Sequence, residues 1–377
     1  MDTSHTPSPS RRNLSRPLRL LRMLWLLITI AVAVVTVISA NSALFNPDTT
    51  TLPAMMSMGF PFLIVADVLL GLLNLFISKR IAIVQWAAMM LSLPAIGNWW
   101  PAHPFRGTPQ IKEGERIVRF MSYNTFDFAD DEDCYPDSTN RSASAIIHSG
   151  ADIICLQEVG MLSDLPHRCL TDEQIDSINT IYPYFASEEE KMVSILSKYP
   201  MREIYLEQPE SPHSGWQAAE VVIGSDTLLV VSVHLQSFGL DDEDKELYHS
   251  ITDGNVSRDM TDAGKVIYRK LAGAFRLRAS QARLLRQQLD SLNYTNILLS
   301  GDFNDIAGSY PMRTIKGDKM KSVFRSIATG PIITYHSDRF LFNIDHVLYQ
   351  GCINPILYRR GGIKSSDHYP VYVTFTL

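Results

Sequence analysis

Leu298-Leu299-Ser300-Gly301-Asp302-Phe303-Asn304 is an apolar run that ends in a carboxylate and a carboxamide. Two stretches further along the chain repeat this arrangement, Asn343-Ile344-Asp345-His346 and Ser365-Ser366-Asp367-His368-Tyr369-Pro370. Polar residues that follow buried strands lie at the rim of a sheet, where loops carry binding and catalytic groups. Three such ends on one chain predict a single shared pocket.

The same pattern of an apolar run followed by a polar residue appears earlier in the chain. Apolar segments that read as strands end at Asn124, Glu158 and His234, the last in a hairpin whose turn is Gly224-Ser225-Asp226. Helical patterns fall between the strands, at residues 142–149, 171–180 and 263–292. Strands outnumber helices, which predicts an α+β sandwich of two mixed sheets flanked by helices.

The polar groups at these ends have a shared chemistry. Carboxylates beside buried apolar strands are costly unless they are paired, and a hard divalent cation would offset that cost. Oxygen ligands from Asp, Glu and Asn are those that Mg²⁺ prefers. An imidazole beside a carboxylate, as at His368, suits a general base or a group that stabilises phosphate charge. Each residue alone is explained equally well as a cap, a turn or a satisfied histidine, but their repetition at separate strand ends favours a site.

In their order along the chain, these motifs resemble the endonuclease/exonuclease/phosphatase superfamily. That superfamily includes DNase I-like nucleases, abasic-site endonucleases, neutral sphingomyelinases and inositol polyphosphate 5-phosphatases. The motifs that carry the resemblance are Met121-Ser122-Tyr123-Asn124, Leu156-Gln157-Glu158-Val159, Ser232-Val233-His234-Leu235, Gly301-Asp302-Phe303-Asn304, Ile344-Asp345-His346 and Ser366-Asp367-His368-Tyr369-Pro370.

The resemblance implies a four-layer α/β-sandwich over residues 116–377 and Mg²⁺-dependent phosphoester hydrolysis, with Mn²⁺ as a substitute ion. Glu158 would be the principal metal ligand with Asn124 beside it, and Asp367 would lie on the metal side. The substrate would be a phosphoester from nucleic acid, a phospholipid or a small molecule.

The catalytic roles follow from the same resemblance. Asp302 would position or deprotonate the attacking water, and Asn304 would hold water and phosphate. His368 would contact the scissile phosphate and be oriented by Asp345, while His234 would bind a phosphate oxygen. A catalytically inactive, membrane-anchored binding module of the same fold is the alternative, although the retention of these residues argues against it.

Charge separates the chain into two parts. Residues 112–377 hold 26 Lys and Arg against 37 Asp and Glu, a balance of −11. Binding of long nucleic acid relies on Lys and Arg, so this acidity disfavours a processive or non-specific nuclease. Residues 24–100 are nearly uncharged, and three apolar segments within them, about 24–41, 59–77 and 81–98, are long enough to cross a bilayer.

The basic residues predict how these segments are oriented. Five arginines lie in residues 1–23, expected to be a disordered basic tail, and Lys79 and Arg80 lie between the second and third segments. The positive-inside rule therefore places both regions in the cytoplasm and, after three crossings, the domain beyond the 101–115 linker outside it. A cleaved signal peptide is the rival interpretation of the first segment. The expected location is a multi-pass membrane protein whose partner is the lipid bilayer.

Three further expectations concern particular side chains. In an extracytoplasmic domain, Cys134 and Cys169 are candidates for a disulfide. The arginines of the long helix, including Arg278, are interpreted as a solvated face. Met58 is interpreted as packing where the chain enters the membrane, and Asp67 as a packing group within the second segment.

Overall fold

The computed structural model describes residues 16–104, 106–107, 109, 111–129, 139–159, 170–240, 243–246, 260–337 and 341–377. Cys134 and Cys169 lie outside these residues, so the expected disulfide does too; so do residues 1–15 of the expected basic tail. The first helix begins at Arg16, and residues 16–23 are therefore helical where a disordered tail was expected. Leu18, Leu20, Leu21 and Met23 extend the apolar pattern of the membrane segment through the arginines.

Among the described residues, two six-stranded sheets form the body of the domain. The strands are β1 (Ile117–Asn124), β2 (Ile153–Gln157), β3 (Tyr184–Glu188), β4 (Val193–Ser197), β5 (Met201–Ile204), β6 (Gly215–Ile223), β7 (Asp226–His234), β8 (Ile297–Asp302), β9 (Lys321–Ser322), β10 (Asp345–Gln350), β11 (Asn354–Arg360) and β12 (Val371–Thr376). The first sheet has the order β11-β12-β1-β2-β4-β3 and the second the order β5-β6-β7-β8-β10-β9. Both sheets mix parallel and antiparallel pairs, since β1 runs parallel to β2 and β7 parallel to β8.

Alternate residues of the central strands face two different cores. On β2, Ile153 and Cys155 pack between the two sheets, whereas Ile154 and Leu156 pack on the outer face of the first sheet. The central strands are therefore apolar without interruption, because both of their faces are covered. This explains why the strand ends are so visible in the sequence.

Helices cover the outer face of each sheet. The first sheet is covered by α5 (Arg141–Ile147) and α6 (Asp172–Ile181), and the second by α7 (Met260–Ser291) and α8 (Tyr310–Lys316). A short helix, α9 (Val323–Ile327), contributes Val323 and Phe324 to the core between the sheets. The predicted four-layer α/β-sandwich is thus confirmed.

Within the residues that the structure describes, four α-helices precede the sandwich: α1 (Arg16–Ala40), α2 (Leu52–Met58), α3 (Phe60–Ile77) and α4 (Lys79–Trp99). Among the described residues α1, α3 and α4 are long and apolar enough to cross a membrane. Buried polar pairs link them, since Gln85 donates a hydrogen bond to Asp67 at 2.6 Å and Trp25 donates one to Asn74 at 2.8 Å. Asp67 therefore has the helix-packing partner that the sequence did not reveal.

Candidate active site

The candidate site lies where the ends of central strands from both sheets meet. On the second sheet, His234, Asp302 and Asp345 are register partners at the ends of β7, β8 and β10, so they form one row across three strands. On the first sheet, Asn124 ends β1, and Glu158 directly follows β2. The sandwich itself brings these five polar groups together.

Gly301 allows the close approach of two strands in this row. Its φ of +144° lies in a region that side-chain-bearing residues rarely adopt, and a Cβ here would lie 1.9 Å from the carbonyl oxygen of Val233. Only glycine fits such a contact between backbones. The close approach places Asp302, the next residue, beside His234.

Two carboxylates face each other through the amide of Asn124. Its Nδ2 donates to Glu158 Oε1 at 3.0 Å and to Asp302 Oδ2 at 3.2 Å, while its Oδ1 accepts from the backbone N–H of Phe126. His234 Nε2 lies 3.5 Å from Glu158 Oε1 and 3.9 Å from Asp302 Oδ2. One amide and one imidazole therefore bridge the acidic pair.

A second histidine completes the cluster from the other side. His368 Nδ1 lies 2.8 Å from Asp345 Oδ2, and its Nε2 lies 3.5 Å from Asp302 Oδ2. A carboxylate only accepts hydrogen bonds, so Nδ1 carries a proton and Nε2 faces the site. All three side chains are at least 95% buried, which makes each contact electrostatically strong.

The remaining predicted residues lie at the same cavity. Asn304 donates from its backbone to Asp302 Oδ1 at 2.7 Å and from Nδ2 to the carbonyl of Leu235 at 3.0 Å. Asp367 is half-buried, and its Oδ1 lies 3.3 Å from Ser366 Oγ. Glu158, Asp302, Asn304, Asp367 and His368 all line a cavity of about 200 Å³.

Burial and charge set the protonation of the cluster. Burial raises the pKa of Asp302 to about 7, although the neighbouring His368 opposes this. Burial alone would lower the pKa of His368, but the carboxylates of Asp345 and Asp302 outweigh it and raise that pKa to about 10. The imidazole is therefore cationic at neutral pH, a state that suits stabilisation of phosphate charge better than proton abstraction.

Burial also has the largest effect on the pKa values of His234 and Asp367. It lowers the pKa of His234, against the opposing effect of Glu158, and it raises the pKa of Asp367. His234 is thus favoured as a neutral imidazole, which is the form able to offer a lone pair to a cation.

The donor set fits a divalent cation. One ligand atom each from Glu158, His234 and Asp302 lies within 4.8 Å of the others, and the same holds for Asp302, Asp345 and His368. Asp302 is 1% exposed and belongs to both groups. A cation among the first three would offset the cost of two carboxylates held in a buried place.

Two residues that hold the site in place were not among the predicted site residues. Ser366 Oγ donates to the carbonyl of Asn124 at 2.8 Å and ties the loop before His368 to β1. The ring of Tyr335 lies 4.9 Å from that of His368, centroid to centroid. Ser366 belongs to the motif Ser366-Asp367-His368-Tyr369-Pro370, so the sequence could have indicated its place beside the site. Tyr335 lies in an irregular loop whose sequence gives no such indication.

Arg278 contradicts the expectation of a solvated helix face. It is fully buried and donates from Nε to Asp305 Oδ2 at 3.2 Å and from Nη1 to the carbonyl of Gln236 at 2.9 Å. Its guanidinium carbon lies 4.5 Å from the ring centroid of Phe238 and 4.7 Å from that of Phe275. Burial lowers the pKa of Arg278, although Asp305 opposes this. The arginine lies behind the cavity wall formed in part by Phe238 and Asp305.

A two-sheet sandwich with buried carboxylates and imidazoles at its strand ends defines a class of protein, the phosphoester hydrolases of this fold. Within that class, the chain belongs to the Endonuclease/Exonuclease/phosphatase family, whose sequence profile matches residues 121–368. The predicted family is thereby confirmed. A second profile, a domain of unknown function, matches residues 21–99, which contain the apolar helices.

Solved structures resemble the chain at low sequence identity. A truncated TDP2 from Caenorhabditis elegans is 18% identical, with a TM-score of 0.46 over 69% of this chain and 98% of that one. An endonuclease/exonuclease/phosphatase from Beutenbergia cavernae DSM 12333 is 16% identical, with a TM-score of 0.47 over 70% and 72% of the two chains. Sphingomyelinase C from Streptomyces griseocarneus is 16% identical, with a TM-score of 0.40 over 69% and 99%. No curated protein sequence matches the chain.

Proposed function

We propose that the protein is a membrane-tethered, Mg²⁺-dependent phosphoester hydrolase whose catalytic domain lies outside the cytoplasm. The observation that carries the proposal is the buried contact of His368 with Asp345 at 2.8 Å, with Asp302 3.5 Å from the other ring nitrogen. A cationic imidazole and a carboxylate then face one cavity. The carboxylate can act as a general base and the imidazole can stabilise phosphate charge, and both effects accelerate hydrolysis of a phosphate ester.

Glu158 would hold the cation, with Asp302 or His234 as further ligands. Asn124 and Asp367 remain predicted ligands: in the described arrangement, the amide nitrogen of Asn124 faces the carboxylates. When bound, Mg²⁺ would neutralise phosphate charge and orient the ester for in-line attack.

The chain's own residues supply the rest of the reaction. Asp302, whose second oxygen is fixed by the backbone of Asn304, orients the attacking water and accepts its proton. His368, held by Asp345, donates a hydrogen bond to the phosphate and stabilises the charge that develops there. His234 and the amide of Asn304 contact the remaining phosphate oxygens. The phosphorus–oxygen ester bond breaks as the water oxygen bonds to phosphorus, and the departing group leaves as an alcohol with one proton from the water.

Hydrolysis of bis-p-nitrophenyl phosphate by the detergent-solubilised full chain tests this function. We expect activity with Mg²⁺, none after chelation with EDTA, and a fall in kcat/KM of about a hundredfold or more in Asp302→Asn and His368→Gln. Matched controls are Asp318→Asn and His148→Gln, both at exposed positions away from the cavity. They should retain full activity.

Equal activity in the site variants and the controls would contradict the mechanism. A full chain that is folded yet inactive with Mg²⁺ and with Mn²⁺ would favour the inactive binding module instead. These two outcomes differ, because the first retains hydrolysis and the second lacks it.

Topology is tested separately. A reporter enzyme that is active only outside the cytoplasm, fused after Leu377, should be active in cells. Activity confined to a reporter that works only in the cytoplasm would contradict the extracytoplasmic placement, while leaving the chemistry of the site untouched.

A further inference from the structure

The cavity at the candidate active site is lined by both polar and apolar side chains. The polar part of the lining includes the carboxylates and imidazole described above. Lys245 is the only Lys or Arg among the described residues that line it. Six apolar residues in the described lining, termed here the apolar side, are Met58, Phe238, Leu240, Ile306, Phe342 and Ile344. A purely ionic substrate leaves such a surface unused, whereas an amphiphilic one covers it.

The apolar side is continuous with the membrane helices. Met58 is the last residue of α2, and only Gly59 separates it from α3, a helix long and apolar enough to span a bilayer. The ring of Phe342 lies 6.4 Å from that of Trp99, the last residue of α4. The start of α3 and the end of α4 lie at the same membrane surface, because consecutive spans alternate in direction. The cavity therefore lies at the level of that surface.

Contacts on two sides hold the domain in this position. Arg325 donates to Asn98 Oδ1 at 2.6 Å and to the carbonyl of Pro94 at 2.8 Å, both on α4. Arg283 pairs with Asp48 at 2.7 Å in the segment between α1 and α2. A single exposed pair of this kind contributes little. Contacts to two separate segments nevertheless restrict rotation of the cavity away from the bilayer.

We propose that the natural substrate is a phosphate ester of a membrane lipid, taken directly from the bilayer surface. The phosphate reaches Asp302 and His368 while the apolar part of the lipid lies against Met58 and Phe342. Water bonds to phosphorus, the ester bond to the departing alcohol breaks, and that alcohol leaves with one proton from the water. This inference rests on the proposed hydrolase function and adds the substrate class.

A chromogenic series tests the apolar side without knowledge of the natural lipid. The probes are alkyl p-nitrophenyl phosphodiesters from methyl to hexyl, added to the full chain in nanodiscs of phosphatidylethanolamine and phosphatidylglycerol. Each methylene that becomes buried should raise kcat/KM roughly fourfold, from about 0.8 kcal/mol per CH₂. Met58→Gln should flatten this dependence on chain length. Met56→Gln, the same change two residues earlier on a side chain that does not line the cavity, should retain it.

Vesicles provide the second measurement. The full chain is incubated with vesicles of phosphatidylethanolamine, phosphatidylglycerol, phosphatidylcholine, cardiolipin and sphingomyelin, and products are followed by phosphorus NMR. We expect release of headgroup or phosphate that depends on Asp302, and a lower ratio of lipid to bis-p-nitrophenyl phosphate hydrolysis in Met58→Gln than in Met56→Gln.

The outcomes separate this inference from the function on which it rests. Asp302-dependent cleavage of bis-p-nitrophenyl phosphate with a flat chain-length series and no lipid product overturns the inference but leaves the hydrolase. Faster cleavage of single-stranded DNA or RNA than of any vesicle lipid does the same. Loss of every activity in a folded chain removes both.

Discussion

The pairing of Asp345 with His368 gives the sharpest prediction, because a single hydrogen bond has a defined role. Asp345→Asn keeps the size of the side chain but removes the charge that faces Nδ1 at 2.8 Å. Hydrogen bonds to charged groups contribute about 1.5–3 kcal/mol, which corresponds to roughly a 10- to 150-fold loss in kcat/KM. The backbone amide of Asp345 donates to Thr334 Oγ1 at 3.1 Å, and this contact survives the substitution.

A double-mutant cycle tests whether Asp345 acts through His368. The assay is hydrolysis of bis-p-nitrophenyl phosphate by Asp345→Asn, His368→Gln and the double variant, each compared with the unaltered full chain. If Asp345 only positions and charges the imidazole, the double variant should be no slower than His368→Gln alone. Losses that multiply in the double variant would refute this reasoning and place Asp345 in a separate role, such as an effect on Asp302.

The pH profile supplies an independent readout of the same pair. The Asp345 and Asp302 carboxylates raise the pKa of His368 to about 10 against the effect of burial. Removing the Asp345 charge destabilises the cationic imidazole and lowers this pKa. The alkaline limb of kcat/KM should therefore move to lower pH in Asp345→Asn, and an unmoved limb would contradict the role of the pair. A residue that only supported the fold would not shift it.

Three further predictions concern stability, measured as thermal unfolding of the detergent-solubilised full chain. Gly301→Ala should lower the unfolding midpoint at a cost of about 2–4 kcal/mol, because the new Cβ would overlap the carbonyl oxygen of Val233. The control variant Gly362→Ala should be neutral, because no atom lies within 4 Å of its new Cβ. Equal effects of the two substitutions would contradict the packing argument. Burial lowers the pKa of His346 from 6.5 to about 4, so the unfolded chain binds more protons in this interval and stability should fall by about 3 kcal/mol as pH drops through it. His346→Gln should reduce that slope, and an unchanged slope would contradict it. Mg²⁺ at a hundred times its Kd should stabilise the chain by about 2.7 kcal/mol relative to EDTA, and identical midpoints would argue against a metal site.

The polar strand ends were predictable because their signal is local. Strands covered on both faces are continuous apolar runs, so the first polar residue after each run marks the rim of a sheet. His234 and Asp302 are the last residues of β7 and β8, whereas Asp345 is the first residue of β10. The three are register partners on neighbouring strands. The family resemblance then supplied the four-layer arrangement and the role expected of each residue, which the local pattern alone does not contain.

The surroundings of these residues were not predictable in the same way. Arg278 shares the helical spacing of the buried Phe275 and Ala282, but its charge is that of an exposed face. In the structure Asp305 and two aromatic rings enclose it. Met58 has the sequence context of a membrane boundary, yet it lines the cavity. Both positions depend on contacts with segments far along the chain. No window of sequence around either residue records such contacts.

Backbone conformation shows where function overrides local preference. Glu158 and Asn304 have positive φ angles, 53° and 50°. Asparagine tolerates this region, but a glutamate there is uncommon and costs free energy. The surrounding backbone holds Glu158 in place, because its carbonyl accepts from Asp127 N–H at 2.8 Å and the next N–H donates to Met192 at 3.0 Å. A strand that simply continued would point this carboxylate to one face of the sheet. The turn directs it toward Asn124 and His234 instead, so the strain lies at the residue whose placement the proposed metal site most requires.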